Sequence, residues 1–175
     1  MTRSYISIGS NIDRHKNITL GLQALDQQFG KLVVSSLYEY EPVGFSGDSF
    51  YNLVAGFDTE LDINILKKKL RQIEFDYGRT LDSKKFSART LDLDLILYGD
   101  LVFNDGNLQI PRAEIEHYAF VLEPLAEIAP TLAHPVLQLS YAELWQKMHQ
   151  NDNGQQHIGC PIKMEWSQQS DGRRP

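Results

Sequence analysis

Arg89-Thr90-Leu91-Asp92-Leu93-Asp94-Leu95-Ile96-Leu97-Tyr98 is the most regular pattern in the chain. Leucine recurs at every second position with aspartate between, which is the period of a strand and not of a helix. Gly99-Asp100 then turn the chain. In a strand over Thr90 to Tyr98, Leu91, Leu93, Leu95 and Leu97 share the face turned to a core, and Asp92 and Asp94 share the other. Two carboxylates about 7 Å apart along a strand repel each other and add nothing to packing. Oxygen donors on one face suit Mg²⁺ held jointly with substrate phosphates. Taken alone, the pair suits a water-facing strand equally well.

Working outward, the pattern sets this strand in an α+β order. Tyr5 to Ser10 reads as a strand ending at a turn-forming Gly9-Ser10-Asn11. Ile18, Leu22, Leu25 and Phe29 fall on one helical face, with Gly30 as a stop. Leu32 to Val43 reads as one long strand, and the breaker-rich Pro42 to Ser49 as a loop. Phe50 to Glu60 is a strand with Phe50, Asn52 and Val54 on one face and Tyr51, Leu53, Ala55 and Phe57 on the other. Asp62 is placed to cap a second helix along Leu66, Leu70, Ile73 and Tyr77, with Gly78 at its end. The fold expected is ferredoxin-like, a β-α-β-β-α-β core. Additions follow it: a hairpin around Asn104 to Asn107, a helix from Glu114 to Ile128 broken or kinked at Pro124, and a last helix from Tyr141 to His149. Residues 1–150 are read as one domain. Residues 151–175 are a polar tail around a short apolar patch at Ile162 to Trp166, suited equally to docking and to disorder.

Composition narrows the function. The chain has 175 residues, 42% hydrophobic and 23% charged, the balance of a globular domain. No apolar run approaches the ~20 residues of a membrane span. The short apolar run after Met1 does not make a secretory segment, so a cytoplasmic location is expected. A net charge of −6 argues against a nucleic-acid partner recruited by bulk electrostatics. A single cysteine, Cys160, excludes an intrachain disulfide and a cysteine-based zinc cage.

Against that acidic background, Arg79, Lys84, Lys85 and Arg89 form a basic stretch leading into the aspartate strand. Arg79 to Ala88 has little apolar anchoring and is expected to be a mobile loop. Cations beside a carboxylate pair are what a nucleoside triphosphate with Mg²⁺ requires. No G-x-x-x-x-G-K-[ST] stretch occurs, which excludes a P-loop enzyme. Lys67-Lys68-Lys69 reads as a solvated helix face, and Ser10 has no base beside it for nucleophilic chemistry.

Five motifs occur in order: Ile8-Gly9-Ser10-Asn11; Pro42-Val43-Gly44 followed by Phe50-Tyr51-Asn52; Ile73-Glu74 with Gly78-Arg79; Arg89-Thr90-Leu91-Asp92-Leu93-Asp94; and Phe120-Val121-Leu122-Glu123-Pro124-Leu125 running on to Pro130. Through them the chain, from Ser4 to His149, resembles the hydroxymethyl-dihydropterin pyrophosphokinases of folate biosynthesis. The resemblance implies Mg²⁺-dependent transfer of pyrophosphate from ATP to the hydroxymethyl group of a reduced pterin, with AMP released. It implies two Mg²⁺ ions between Asp92, Asp94 and the triphosphate, and phosphate contacts from Arg79 and Arg89. Phe50 and Phe120 match the aromatics that sandwich the pterin, and Asn52 the amide that reads its edge. The backbone at Val43 and Gly44 lines that pocket. Glu74 matches a carboxylate near the nucleotide, and adenine is expected against Leu95, Ile96 and Leu108 to Ile110. The partners implied are small molecules, with the protein a monomer.

The sequence also departs from the family's pattern. Leu81 stands where an Arg is usual, Phe86-Ser87-Ala88 where a Gly-Pro precedes the motif, and Arg112 where a phosphate-contacting His is common. Tyr118 replaces an Arg two residues before Phe120, and Tyr40 a small Thr. Arg112, a permanent forked cation, is expected to take over a phosphate contact. The departures leave two other readings: a pterin-binding paralogue with little or no turnover, and the same reaction on a modified pterin.

Overall fold

The computed structural model of the chain describes residues 1–43, 46–77, 90–151 and 160–162, without the side chains of residues 151 and 160–162. It is a mixed α and β structure built on an antiparallel sheet. Strands β1 (Thr2–Ser10), β2 (Val33–Val34), β3 (Leu37–Tyr40), β4 (Phe50–Thr59) and β5 (Asp92–Tyr98) surround helices α1 (Arg14–Phe29) and α2 (Ile63–Asp76) in sequence. Then come the short paired strands β6 (Phe103–Asn104) and β7 (Gln109–Ile110), helices α3 (Glu114–His117), α4 (Ala119–Ile128) and α5 (Tyr141–Asn151), and strand β8 (Cys160–Ile162). The main sheet runs β5-β1-β4-β3-β8, with β2 also paired to β4. Part of the tail therefore adds a strand, β8, to the outer edge of β3.

Each face of the sheet buries a different apolar layer. On one face α1 and α2 cover Ile6, Ile8, Leu53, Ala55, Phe57, Leu93 and Leu95. The helices present the side chains their periodicity selects: Ile18, Leu22 and Leu25 from α1, and Leu66, Leu70 and Ile73 from α2. Phe29 stacks on Phe57 with centroids 4.3 Å apart. Gly30, at φ 77°, ends α1 in a conformation that favours glycine. The Asp62 carboxylate accepts the Asn64 N–H at 2.8 Å and starts α2. On the other face α3, α4 and α5 close over Tyr5, Val54, Ile96 and Leu97.

Three expectations are corrected. The stretch from Leu32 to Val43 is two short strands. At the break, Ser35 exchanges bonds with Val54 through its N–H and its Oγ, and Ser36 turns its N–H and hydroxyl to the Glu127 carboxylate. Leu97 does not join Leu91, Leu93 and Leu95. The β1–β5 register shifts between Tyr5 and Ile6, so Tyr5 faces Leu97 while Ile6 faces Leu95. That bulge carries Leu97 to the second layer beside Ile96. The helical stretch from Glu114 to Ile128 breaks at Tyr118, in extended conformation at φ −127° and ψ 122°, and Pro124 lies inside α4. The loop expected at Arg79 to Ala88 lies outside the described residues.

The second layer holds a buried histidine. His134 is 1% exposed, and its Nδ1 accepts the N–H groups of Val136 and Leu137 at 3.3 and 3.2 Å. Burial holds its pKa below the ordinary 6.5, with Glu116 pulling weakly the other way. The unfolded chain therefore binds a proton that the folded chain refuses. This contribution to stability is complete above about pH 6.5 and is lost as pH falls through the folded value. The free energy of unfolding should drop more steeply between pH 7 and 5 for the natural chain than for His134→Asn, measured by denaturant titration at each pH.

Candidate active site

The register of the sheet assembles the site in rows. Asp92 on β5, Gly9 on β1 and Asn52 on β4 lie side by side, and Asp94, Ser7 and Val54 form the next row. Tyr38 on β3 extends the first row. All belong to the face that α3 to α5 cover further along, where Val54 and Ile96 are buried. Phe50, Asn52, Asp92 and Asp94 belong to neither apolar layer. The aspartates are half-buried, with the side chain of Asp94 49% exposed. Neighbouring strands are about 4.8 Å apart, so Asp92 and Asn52 stand about 10 Å apart across β1.

Gly9 lets its neighbours close over the middle of that row. A Cβ there would come 3.1 Å from Asn52 Oδ1 and 3.8 Å from the Phe50 ring. The amide and the ring thus lean over a strand position with no side chain. Glycine inside a strand marks such close approach, so Gly9, expected at a turn, serves the sheet instead. Asn52 is 5% exposed. The half-buried Phe120 is carried by α4, which packs on β4 and β3.

Glu74 supports the aspartates from the opposite face. Its carboxylate is 3% exposed, and Oε1 accepts the Leu93 N–H at 2.8 Å. Leu93 lies between Asp92 and Asp94, so α2 fixes the backbone from which both carboxylates project. Arg112 follows β7, its N–H bonded to the Ile96 carbonyl at 3.1 Å. Its guanidinium reaches Glu114 at 2.9 Å and Asp94 at 3.5 Å. Sequence reading missed Glu114 and Ser7, which carry no local motif and reach the site only through pairing.

The start of β4 is clamped from beneath. Arg14 donates to Glu39 Oε1 and Ser49 Oγ, both at 2.6 Å, and lies 4.1 Å above the Tyr51 ring. The Ser49 hydroxyl, then Arg14, hold the Glu39 carboxyl below its usual range. This network also went unforeseen, because its members are scattered along the chain.

Leu95 and Ile110 are buried in the layer beneath α1 and α2, and Ile96 in the opposite one, so their side chains do not share a surface. Val43 is exposed at the rim of its loop. Gly44, Arg79, Lys84, Lys85 and Arg89 lie outside the described residues. Among the described residues no group of three or more His, Cys, Asp or Glu side chains gathers to hold a metal, and no helix is long and apolar enough to cross a membrane.

Comparison with known proteins follows this geometry. Residues 5–130 match the sequence family described as 7,8-dihydro-6-hydroxymethylpterin-pyrophosphokinase. The chain is 36% identical, over 137 residues, to a 2-amino-4-hydroxy-6-hydroxymethyldihydropteridine pyrophosphokinase of Pseudomonas aeruginosa; the match covers 76% of this chain and 84% of that one. It is 35% identical over 138 residues to the folic acid synthesis protein FOL1 of Dictyostelium discoideum, covering 78% of this chain. The chain spans about a fifth of that longer relative, 21% of its length. The crystal structure of wild-type Plasmodium falciparum HPPK-DHPS with STZ-DHP is similar in fold, with a TM-score of 0.75 at 14% identity, over 93% of this chain and 47% of that one.

Glu74→Ala leaves the buried Leu93 N–H without its acceptor and should cost about 1–3 kcal/mol of stability. Glu74→Gln keeps an oxygen there and should recover most of the loss. Urea unfolding midpoints of the variants check this.

Proposed function

The chain belongs to the 7,8-dihydro-6-hydroxymethylpterin-pyrophosphokinase family, and we propose that it transfers pyrophosphate from ATP to the hydroxymethyl group of 6-hydroxymethyl-7,8-dihydropterin, releasing AMP. In this reaction the substrate hydroxyl oxygen bonds to the β-phosphorus. The bond from that phosphorus to the oxygen bridging to the α-phosphate breaks, AMP leaves on that oxygen, and the hydroxyl proton passes to water. No covalent intermediate with the protein is needed, so catalysis rests on position and charge.

The observation that carries the reading is the row Asp92–Gly9–Asn52. A hard-oxygen pair and a buried amide beside an aromatic ring stand about 10 Å apart on one sheet face. That separation suits a ligand with a flat heterocycle at one end and phosphates at the other. On this reading Asn52 meets a donor–acceptor edge of the pterin. Phe50 and Phe120 take its two faces, and the backbone of Val43 and Gly44 closes its rim. Arg79, Lys84, Lys85, Arg89 and Arg112 neutralise phosphate, and Glu74 acts on the nucleotide side by fixing the strand between the aspartates.

Asp92 and Asp94 fit Mg²⁺: they are hard carboxylates, one of them half exposed, and Mg²⁺ completes its shell with water and substrate phosphate. Two ions at this pair are part of the proposal. Bound there, Mg²⁺ would withdraw charge from the triphosphate. The βαββαβ core that carries these residues we read as ferredoxin-like. A second reading, pterin binding without turnover, is favoured by Tyr118 standing where the family pattern has an Arg.

Asp92→Ala and Asp94→Ala should each lower Mg²⁺-dependent AMP release by ~10²-fold or more while thermal melts stay near that of the natural chain. Persistent AMP release from either variant would remove the metal assignment, and none from the natural chain would favour the second reading. Asn52→Ala should weaken pterin binding by about 1–3 kcal/mol and leave ATP binding unchanged, as read by calorimetric titration of each ligand.

A further inference from the structure

Phe120 is held from two sides by aromatic residues that depart from the family's pattern. Tyr118 stacks on it, with centroids 5.0 Å apart and planes 21° from parallel. Tyr40 meets it edge-on at 6.1 Å and 68°. Neither partner is loosely placed. The Tyr118 N–H bonds to the Glu114 carbonyl at 3.0 Å, and its own carbonyl accepts the N–H groups of Val121 and Leu122, both at 3.1 Å. The break between α3 and α4 thus fixes the backbone that carries its ring. Tyr40 is buried, and its hydroxyl bonds to the Glu123 carboxylate one helical turn beyond Phe120 and lies 3.3 Å from the Ala119 carbonyl.

We propose that Tyr118 and Tyr40 are positioning residues for pterin recognition, locking the Phe120 ring so that one face is already covered and the other alone receives a flat heterocycle. The inference rests on the pterin reading given above. An aromatic ring that is fixed before binding loses less freedom when the ligand arrives. Offset-stacked and edge-on pairs are the arrangements that the ring quadrupoles favour. Tyr118 therefore acts on the heterocycle side of the site, although the family's pattern places a cation at its position.

The test compares Tyr118→Ala, Tyr118→Leu and Tyr118→Phe, each checked for folding by thermal melt. Calorimetry titrates 6-hydroxymethyl-7,8-dihydropterin in the presence of Mg²⁺ and a non-hydrolysable ATP analogue, and separately the analogue alone. NMR line shapes report the flipping of the Phe120 ring in the ligand-free chain. Tyr118→Ala and Tyr118→Leu should weaken pterin binding about three- to tenfold, the size of one aromatic pair, and leave the analogue's affinity unchanged. Both should speed the ring flip, and Tyr118→Phe should restore both properties. Unchanged ring motion, or a loss confined to the ATP analogue, would overturn the inference. If Tyr118 governs the ring motion but the natural chain binds no pterin, the lock stands and the pterin reading fails.

Discussion

A strand sends neighbouring side chains to opposite faces, and β5 has to satisfy a different demand on each. Leu93 and Leu95 must fill the layer beneath α1 and α2, which forces Asp92 and Asp94 onto the other face. The Glu74 carboxylate enforces the arrangement by accepting the N–H of Leu93, the residue between them. A buried carboxylate is costly unless its oxygens are bonded, so packing α2 against the sheet and presenting the aspartates are one structural event.

The same strand shows where the cover of α4 and α5 begins on the second face. From Leu91 to Asp94 apolar and acidic residues alternate; from Leu95 to Leu97 three apolar residues run on without a break. Continuous apolarity is the mark of burial on both faces. It begins where the bulge against Tyr5 and Ile6 turns Leu97 under the α4 and α5 layer. On β5 the burial under α4 and α5 starts from that bulge, and the same layer takes in Val54 on β4.

What was legible in the sequence had a local cause. Helix faces, the Asp62 cap, the Gly30 stop and the faces of β4 follow from periodicity and capping chemistry within a few residues. So do the shared face of Asp92 and Asp94 and that of Phe50 and Asn52. What was missed depends on partners far along the chain. The break at Ser35 and Ser36 is fixed by Val54 and Glu127, and the bulge on β5 by β1. Pro124 is expected to break or kink the helix; the break lies at Tyr118, where aromatic contact with Phe120 adds to the bonding of the α4 N-terminus. Gly9 was read by its place at the end of a run, whereas its meaning lies across the sheet, beneath Asn52 and Phe50.

The charge balance at the open end follows from the same geometry. Arg112 sits nearer to Glu114, at 2.9 Å, than to Asp94, at 3.5 Å. Its hold on Asp94 is the weaker of the two, and Asp94 is half exposed, where an ion pair is worth at most ~1 kcal/mol. Glu114 keeps the guanidinium beside the aspartate face rather than locked onto it. A permanent cation is therefore held next to the face that carries Asp92 and Asp94 by a partner outside β5, so charge of both signs stands at one end of the sheet.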